Sequence, residues 1–110
     1  MDTYAKGYRR EKELRDRFTE AGYLVDFKHR SRYHSPDLFT MFDFVAIKYG
    51  IVRWVQVKSR KSNYYTARKT LQKWLLENDL DIHSEVWCKE NRGKWFGSEV
   101  WQDGFTHACI

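Results

Sequence analysis

The chain has 110 residues, of which 42% are hydrophobic and 17% aromatic, which suits one domain over residues 1–110 and excludes an unfolded tail. Lys and Arg number 20 against 15 Asp and Glu, a balance that favours polyanion partners such as nucleic acid, although solvated basic surfaces share it. The two cysteines lack C-x-x-C spacing, which argues against a zinc ribbon and a disulfide scaffold. The N-terminus has no apolar segment typical of a signal peptide, and no run approaches the about 18 apolar residues of a membrane span. We therefore expect a cytoplasmic protein.

The hydrophobic pattern predicts an α/β domain with one mixed sheet and flanking helices. Leu14, Phe18 and Ala21 share a helical face, and Gly22 follows at the C′ position that favours glycine. In chain order we predict a helix over Gly7–Ala21, strands over Tyr23–Lys28, Phe39–Lys48 and Ile51–Ser59, a helix over Ala67–Glu77, and strands over Ser84–Lys89 and Lys94–Trp101. This order is α-β-β-β-α-β-β, with a basic loop over His29–Leu38; the residues after Trp101 are left unassigned.

The strands on either side of Tyr49-Gly50 carry three polar side chains on one face. A two-residue turn there makes paired residue numbers sum to 99, which sets Asp43 opposite Gln56. Lys58 lies on the same face, because side chains alternate with a period of two. Opposed Cβ atoms lie about 4.5–5.5 Å apart, so Asp43 and Gln56 could share one cation. The register also matches the facing apolar residues, which are Val45, Ile47, Val52 and Trp54.

The first predicted helix aims a second carboxylate at this face. At about 100° per residue, Glu11 lies about 20° from Phe18, whereas Glu13 lies about 140° away on the outer face. Carboxylate and amide oxygens suit a hard cation such as Mg²⁺, and a bound Mg²⁺ lowers the pKa of its water. A neighbouring lysine can stabilise charge on a phosphate. The set therefore suits metal-assisted phosphodiester hydrolysis.

Each of these four side chains also has an ordinary structural interpretation. Asp43 could cap or pair with a surface lysine, and Gln56 could hydrogen-bond within the sheet. Lys58 could extend to water at its strand end, and Glu11 could pair with Arg15 at i+4. Their convergence on one face favours a functional site.

On these residues the chain resembles the PD-(D/E)xK nuclease superfamily, and within it the archaeal-type Holliday junction resolvases. The matching residues are Lys6-Gly7, Glu11, Gly22, Asp43 and the run Q-V-K-S-R-K from Gln56 to Lys61. The resemblance covers residues 6–61. It implies a restriction-endonuclease-like fold, and it implies a homodimer whose two sites cut opposite strands of a four-way DNA junction.

The resemblance also implies a role for each matching residue. Asp43 is expected to be the main metal ligand, Glu11 an auxiliary acidic residue and metal ligand, and Gln56 a ligand in the second acidic position. Lys58 is expected to be the catalytic lysine, and the carbonyl of Val57 to complete the metal shell. The expected cofactor is Mg²⁺, for which Mn²⁺ would substitute, with no small-molecule cofactor.

Two features depart from the family pattern. Gln56 stands where the family usually has Glu or Asp; its amide oxygen can bind a hard cation but carries no charge, which should weaken metal binding. Pro36-Asp37 matches the P-D pair literally, but Asp37 lies six residues before Asp43, or about 20 Å along an extended chain. We therefore assign the metal to Asp43 and a loop position to Asp37.

Basic residues adjoin each proposed site residue and predict a DNA-binding surface that contacts phosphates without reading sequence. Scattered solvated charges are the alternative, and Tyr64 and Tyr65 could stack on DNA, form a dimer contact or pack under the second helix. The predicted DNA contacts are Arg9, Arg10, Arg30, Arg32, Arg60 and Lys61.

Three functions fit the sequence. The first is a Mg²⁺-dependent endonuclease that resolves four-way junctions, in a prokaryotic, archaeal or viral context. The second is a nuclease of the same superfamily that acts on a flap, a nick or a restriction target. The third is a module that binds branched DNA without cutting it, because Gln56 lacks a charge.

Overall fold

A computed structural model describes residues 3–28, 38–39 and 41–110 of the chain, with side chains from residue 7 onward. The helices are α1 (Thr3–Glu20) and α2 (Lys61–Glu77), and the strands are β1 (Leu24–Asp26), β2 (Phe44–Lys48), β3 (Ile51–Lys58), β4 (Ser84–Cys88), β5 (Phe96–Trp101) and β6 (Gly104–His107). Across these described ranges the strands form one sheet in the order β1-β2-β3-β4-β5-β6, in which only β3 and β4 pair in parallel. The predicted α/β class is confirmed.

The helices cover opposite faces of the sheet, and each encloses its own apolar cluster. Both clusters reach β4, whose five residues are all buried, as expected for a strand with helices on both faces. On the α1 face the buried residues are Leu14, Phe18, Phe44, Ala46, Val55, Trp87 and Ala108. On the α2 face they are Phe42, Tyr64, Ala67, Leu71, Leu75, Val86, Cys88 and Val100.

Gly22 ends α1 as the sequence predicts. Its φ of 94° is a left-handed value that favours glycine, and the amide of Tyr23 donates to the carbonyl of Phe18 at 3.0 Å. The rings of Phe18 and Tyr23 also pack edge to face, with centroids 5.1 Å apart. This is a Schellman cap with its apolar contact, and it directs the chain from α1 into β1.

The elements differ most from the prediction at the starts of α2 and β2 and after Trp101. α2 begins at Lys61 instead of Ala67; the sequence does not indicate this start, because the first turn is polar and the N-cap, Arg60, makes no side-chain cap bond. β2 begins at Phe44 instead of Phe39, after a Leu38–Phe42 bridge. The residues after Trp101, to which the sequence pattern assigns no element, include β6, which pairs with β5 at the sheet edge.

Neither described helix is both long enough and apolar enough to cross a membrane.

A buried ion pair joins β3 to β4 on the α1 face. Arg53 Nη2 donates to Glu85 Oε1 at 2.7 Å, and Glu85 is fully buried. The His83 Nε2 lies 2.8 Å from Glu85 Oε2. Burial alone would raise the pKa of Glu85, but hydrogen bonds from His83 and Arg53, the Arg53 charge and the Trp87 indole bond lower it below its ordinary 4.5.

We expect this pair to make folding stability acid-sensitive. Because the pKa of Glu85 is lowered in the folded state, its contribution is present above the unfolded pKa and is lost as the pH falls through the folded pKa. Glu85→Gln should therefore unfold more easily than wild type at pH 7, with a smaller further loss at acidic pH. Urea unfolding between pH 7 and acidic pH measures the free energy of unfolding of each protein, with Glu77→Gln at an exposed position as control. Parallel pH profiles of this free energy for wild type and Glu85→Gln would contradict the prediction.

Candidate functional site

The strand pairing between β2 and β3 follows the predicted register. Val45 pairs with Trp54 and Lys48 pairs with Ile51, so paired numbers sum to 99. Tyr49 and Gly50 have φ of 54° and 79°, the two positive values that a two-residue type I′ turn requires. The pairing ends with Phe44 opposite Val55, and the amide of Asp43 donates to the Val55 carbonyl at 2.9 Å, so Asp43 and Gln56 do not pair within the ladder.

The ladder stops at Asp43 because the side chain takes over from the backbone. The amide of Val57 donates to Asp43 Oδ2 at 2.7 Å, where an unbroken ladder would offer the carbonyl of Phe42. Phe42 instead bonds Leu38: the amide of Leu38 donates to the Phe42 carbonyl at 2.7 Å, and the amide of Phe42 donates to the Leu38 carbonyl at 2.9 Å. β2 therefore leaves β3 at Asp43, whose carboxylate stands between the two faces of the sheet.

Gln56 and Lys58 point from β3 toward α2. Both line a cavity of about 190 Å³ whose other wall is the polar side of α2, formed by Asn63, Thr66, Ala67 and Thr70. Gln56 Oε1 is buried and has no hydrogen-bond partner in the described part of the chain. A buried acceptor without a donor lowers the stability of the fold and is typical of a group that bonds a water molecule or an ion.

Glu11 lies on the other side of the sheet from Gln56 and Lys58. The inner face of α1 packs on Phe44 and Val55, so Glu11 arrives from the α1 face with its side chain 12% exposed. The prediction that Glu11 shares a face with Gln56 and Lys58 is wrong, because the helix geometry gave its direction on α1 but not which face α1 covers.

Arg15 is the described ion-pair partner of Glu11. Its Nε lies 3.8 Å from Glu11 Oε1, and the Arg15 side chain is only 10% exposed. Its guanidinium carbon lies 3.6 Å from the centre of the Phe27 ring, which covers its flat face. The i+4 pairing that the sequence allowed for Glu11 is therefore present.

The helical angle predicted that Glu13 faces outward, and this prediction is wrong. Its Oε1 accepts hydrogen bonds from Lys89 Nζ at 2.6 Å and Trp95 Nε1 at 3.2 Å, because the end of β4 and the approach to β5 lie along this side of α1. Burial alone would raise the pKa of Glu13, but the bonds from Lys89 and Trp95 and the charges of Lys89 and Arg10 lower it. Glu13 is therefore a structural anion that fixes α1 to the sheet.

The predicted DNA contacts divide into four groups. Arg60 and Lys61 are exposed and line an open cleft of about 620 Å³ with Ser59, Ser62, Glu90 and Asn91. Arg10 is engaged within the protein, where it donates to Glu13 at 3.3 Å and to Asn91 at 3.2 Å. Arg9 is exposed on α1, whereas Arg30, Arg32 and Asp37 lie outside the described residues.

Tyr64 and Tyr65 take different positions on α2. Tyr64 is buried, its hydroxyl bonds Ser98 and its ring packs on Phe96, so it packs under the second helix, one of the alternatives left open by the sequence. Tyr65 is half exposed beside the guanidinium of Arg68.

The donor set of this region suits a hard divalent cation. Asp43 offers a carboxylate, Gln56 offers a buried amide oxygen that has no partner among the described residues, and the Val57 carbonyl points to the same side as its amide, toward Asp43. Such oxygen ligands are those that Mg²⁺ prefers, and Mg²⁺ commonly binds through one or two carboxylates while keeping several waters. Within the described ranges, no three His, Cys, Asp or Glu side chains form a metal-binding group, so a cation would depend on this mixed set.

The sheet and its two helices define a restriction-endonuclease-like α/β fold. A structure of Hjc from Archaeoglobus fulgidus, a Holliday junction resolvase from an archaeal hyperthermophile, shares this fold with a TM-score of 0.55. The two chains are 20% identical, over 84% of this chain and 76% of that one. No protein-family model matches the sequence, and no curated protein matches it.

Gln56→Met should leave the folding stability unchanged or raise it by up to about 1 kcal/mol, because it replaces an unsatisfied buried oxygen with an apolar side chain of similar size. Gln72→Met is the matched control: Gln72 Nε2 donates to the Gln102 carbonyl at 3.1 Å, and its loss should cost about 1 kcal/mol. Urea unfolding measures both. A loss in Gln56→Met as large as in the control would show that the Gln56 amide oxygen is hydrogen-bonded in the fold.

Proposed function

We propose that this protein is a divalent-metal-dependent DNA endonuclease that resolves four-way junctions by phosphodiester hydrolysis. The observation that carries the proposal is the bond from the Val57 amide to the Asp43 carboxylate, formed where β2 departs from β3; Val57 is the residue between Gln56 and Lys58 in β3. The fold that the chain shares with an archaeal resolvase supports the choice of junction DNA as substrate.

In this proposal Asp43, the Gln56 amide oxygen and the Val57 carbonyl hold Mg²⁺, for which Mn²⁺ can substitute. The bound cation supplies a water molecule of lowered pKa and a positive charge beside the phosphate. Lys58 donates to a non-bridging phosphate oxygen and stabilises the charge that grows there. Glu11, on the α1 face, serves in this proposal as an auxiliary acidic residue.

Arg60 and Lys61 come directly after the β3 segment that carries Gln56 and Lys58, so the exposed cleft they line continues from the proposed centre. We propose that they bind the phosphates next to the cleaved bond, and that Arg9, Arg30 and Arg32 bind further phosphates of the same DNA. Arg10 contributes by holding Asn91 at the cleft rim. Contacts of this kind depend on backbone shape rather than base sequence.

Wild-type protein with Mg²⁺ should cut a synthetic four-way junction at paired, symmetric positions and leave a linear duplex of the same sequence intact. Asp43→Asn should abolish cutting because it removes the anionic ligand, and Lys58→Ala should slow it about 10²–10³-fold. Asp16→Asn is the matched control, since Asp16 is an exposed partner of Lys12 on α1 and should leave the rate unchanged. Gel analysis of labelled strands measures all four.

Three results would contradict this assignment. No cutting by wild type, or equal cutting by Asp43→Asn, would contradict the proposed nuclease activity of this site. Equal cutting of flaps, nicks or linear duplex would indicate a nuclease with another substrate. Salt-sensitive junction binding without cutting, together with cutting by Gln56→Glu, would indicate a branched-DNA-binding module whose site lacks one charge.

We also propose that the protein acts as a homodimer, because paired incisions need two centres. An apolar row crosses β1, β2 and β3, in which Leu24 pairs with Ile47 and Ile47 with Val52. All three side chains are exposed, Leu24 by 72%, and exposed apolar patches of this kind commonly mark interfaces.

Ile47→Asp should therefore convert a dimer to a monomer in sedimentation velocity and abolish paired incision. Leu76→Asp is the control, since Leu76 is exposed on α2 away from this row. A monomeric wild type would contradict the proposed homodimer. A dimer that persists in Ile47→Asp would show that the interface does not include this row.

A further inference from the structure

Arg68 lies on α2 within a cluster of aromatic rings. Its guanidinium carbon is 4.5 Å from the centre of the Phe105 ring, 5.0 Å from that of Tyr65 and 5.2 Å from that of Tyr64. Phe105 belongs to β6, so the guanidinium is held from the helix and from the edge of the sheet. Contacts of this kind fix the plane of a guanidinium and leave its N–H groups to bind along its edge.

The charge of Arg68 is not balanced within the described part of the chain. No Asp or Glu of that part forms an ion pair with it, and its Nη1 makes a long bond of 3.4 Å to Ser98 Oγ. Its Nε is buried and has no hydrogen-bond partner in the same ranges. A half-buried cation without a counter-ion lowers the stability of the fold. Arg68 is therefore a fixed cation that an anion from outside can complete.

Arg68 is the last of three side chains in a row along α2. At about 100° per residue, Lys61, Tyr65 and Arg68 lie within about 60° of one another around the helix. Lys61 is exposed, and Tyr65 is 49% exposed. No acidic residue occurs in α2 from Lys61 to Leu76. The row is thus a cationic surface with an aromatic ring between its two charges.

We propose that this row is a DNA-binding site that follows one strand of a junction arm, with Lys61 and Arg68 on backbone phosphates and Tyr65 between them. The inference rests on the proposed function and adds Tyr65 and Arg68 to its DNA contacts. Seven helical residues rise about 10.5 Å, and one strand carries a phosphate every ~3.4 Å of helix axis. The two cations therefore match phosphates about three nucleotides apart. The guanidinium fork of Arg68 can give its phosphate two parallel bonds.

The position of the row favours DNA over an acidic protein partner. Lys61 also lines the open cleft of about 620 Å³ in which the proposed function places phosphates. A strand that leaves this cleft along α2 meets Tyr65 and then Arg68. An acidic peptide on Arg68 would depend neither on Lys61 nor on the spacing of nucleotides.

Arg68→Gln should weaken binding to a synthetic four-way junction about tenfold. The slope of log affinity against log salt should become flatter by about 1, because one phosphate contact is lost. Fluorescence anisotropy of a labelled junction in EDTA measures both quantities on uncut DNA. Lys73→Gln is the matched control, because it removes the same charge from α2 at a side chain that is 77% exposed and paired with Glu77. It should bind as wild type does.

Arg68→Lys should keep the wild-type salt slope but bind less tightly, because it retains the charge and loses the planar fork. Circular dichroism checks that each variant folds. Tyr65→Ala removes one ring from the cluster at an exposed position, so it should weaken binding as well. It tests the inference even where Arg68→Gln does not fold.

Cutting assays separate binding from chemistry. With Mg²⁺, Arg68→Gln should cut at the wild-type rate when the junction is saturating. It should need about tenfold more junction to reach half of that rate, because a contact made equally in the bound and transition states changes KM and not kcat.

Single methylphosphonates, which replace a charged phosphate with a neutral group, locate the contact. One such substitution should weaken binding by wild type and leave binding by Arg68→Gln unchanged. A second should do the same for Lys61→Gln, about three nucleotides away on the same strand. Comparing each DNA substitution with each variant assigns the phosphate to its side chain.

Equal affinity and equal salt slope in wild type and Arg68→Gln would overturn the inference, leave the proposed function standing and indicate a ligand other than DNA for Arg68. A loss in Lys73→Gln as large as in Arg68→Gln would also overturn it, since the effect would then be one of general charge. Failure of every methylphosphonate to be silent in Arg68→Gln would show that Arg68 acts through the fold. Junction binding with the expected Arg68 dependence, but without cutting by wild type, would contradict the nuclease and support the DNA-binding row.

Discussion

The bond from the Val57 amide to the Asp43 carboxylate is the constraint on which the rest of the candidate site depends. It ends one side of the β2–β3 ladder by substituting a side-chain acceptor for a main-chain one. β2 can then turn away into the Leu38–Phe42 bridge without leaving the half-buried Val57 amide unsatisfied. The opening between the strands follows from that one substitution, and it deprives the Val57 carbonyl of the Phe42 amide, which bonds Leu38 instead.

The two faces of the sheet serve different purposes near this opening. The α1 face holds charged groups in tight pairs, with Glu13 on Lys89 and Trp95 and Glu85 on Arg53, and these pairs fix the helix and the strands. On the α2 face, Gln56 Oε1 lies beside a polar cavity and has no hydrogen-bond partner among the described residues. A ligand can supply the missing bond to a buried oxygen of this kind, which is the role proposed for Gln56.

The sequence predicted those features that depend on local periodicity. Tyr49-Gly50 and the facing apolar residues were sufficient for the hairpin register, and Gly22 was sufficient for the end of α1, because each is decided by neighbouring residues. The start of α2 at Lys61 was not predicted, because the N-cap residue, Arg60, has no side chain of the capping type. The sheet face of Glu11 and the partners of Glu13 depend on which side α1 packs and on the course of the chain between β4 and β5, and no local pattern carries that information.

The hairpin also has a consequence for the order of folding. β2 and β3 are joined by two residues, whereas the parallel pairing of β3 with β4 must wait for the chain to cross over through α2. Pairings between residues close in sequence require less loss of chain entropy and form sooner than distant ones. Gln56 and Lys58 lie beyond the β2–β3 pairing and pair with Val86 and Cys88 of β4. We therefore expect the hairpin to form first and the geometry of Gln56 and Lys58 to be completed only when the parallel contact forms.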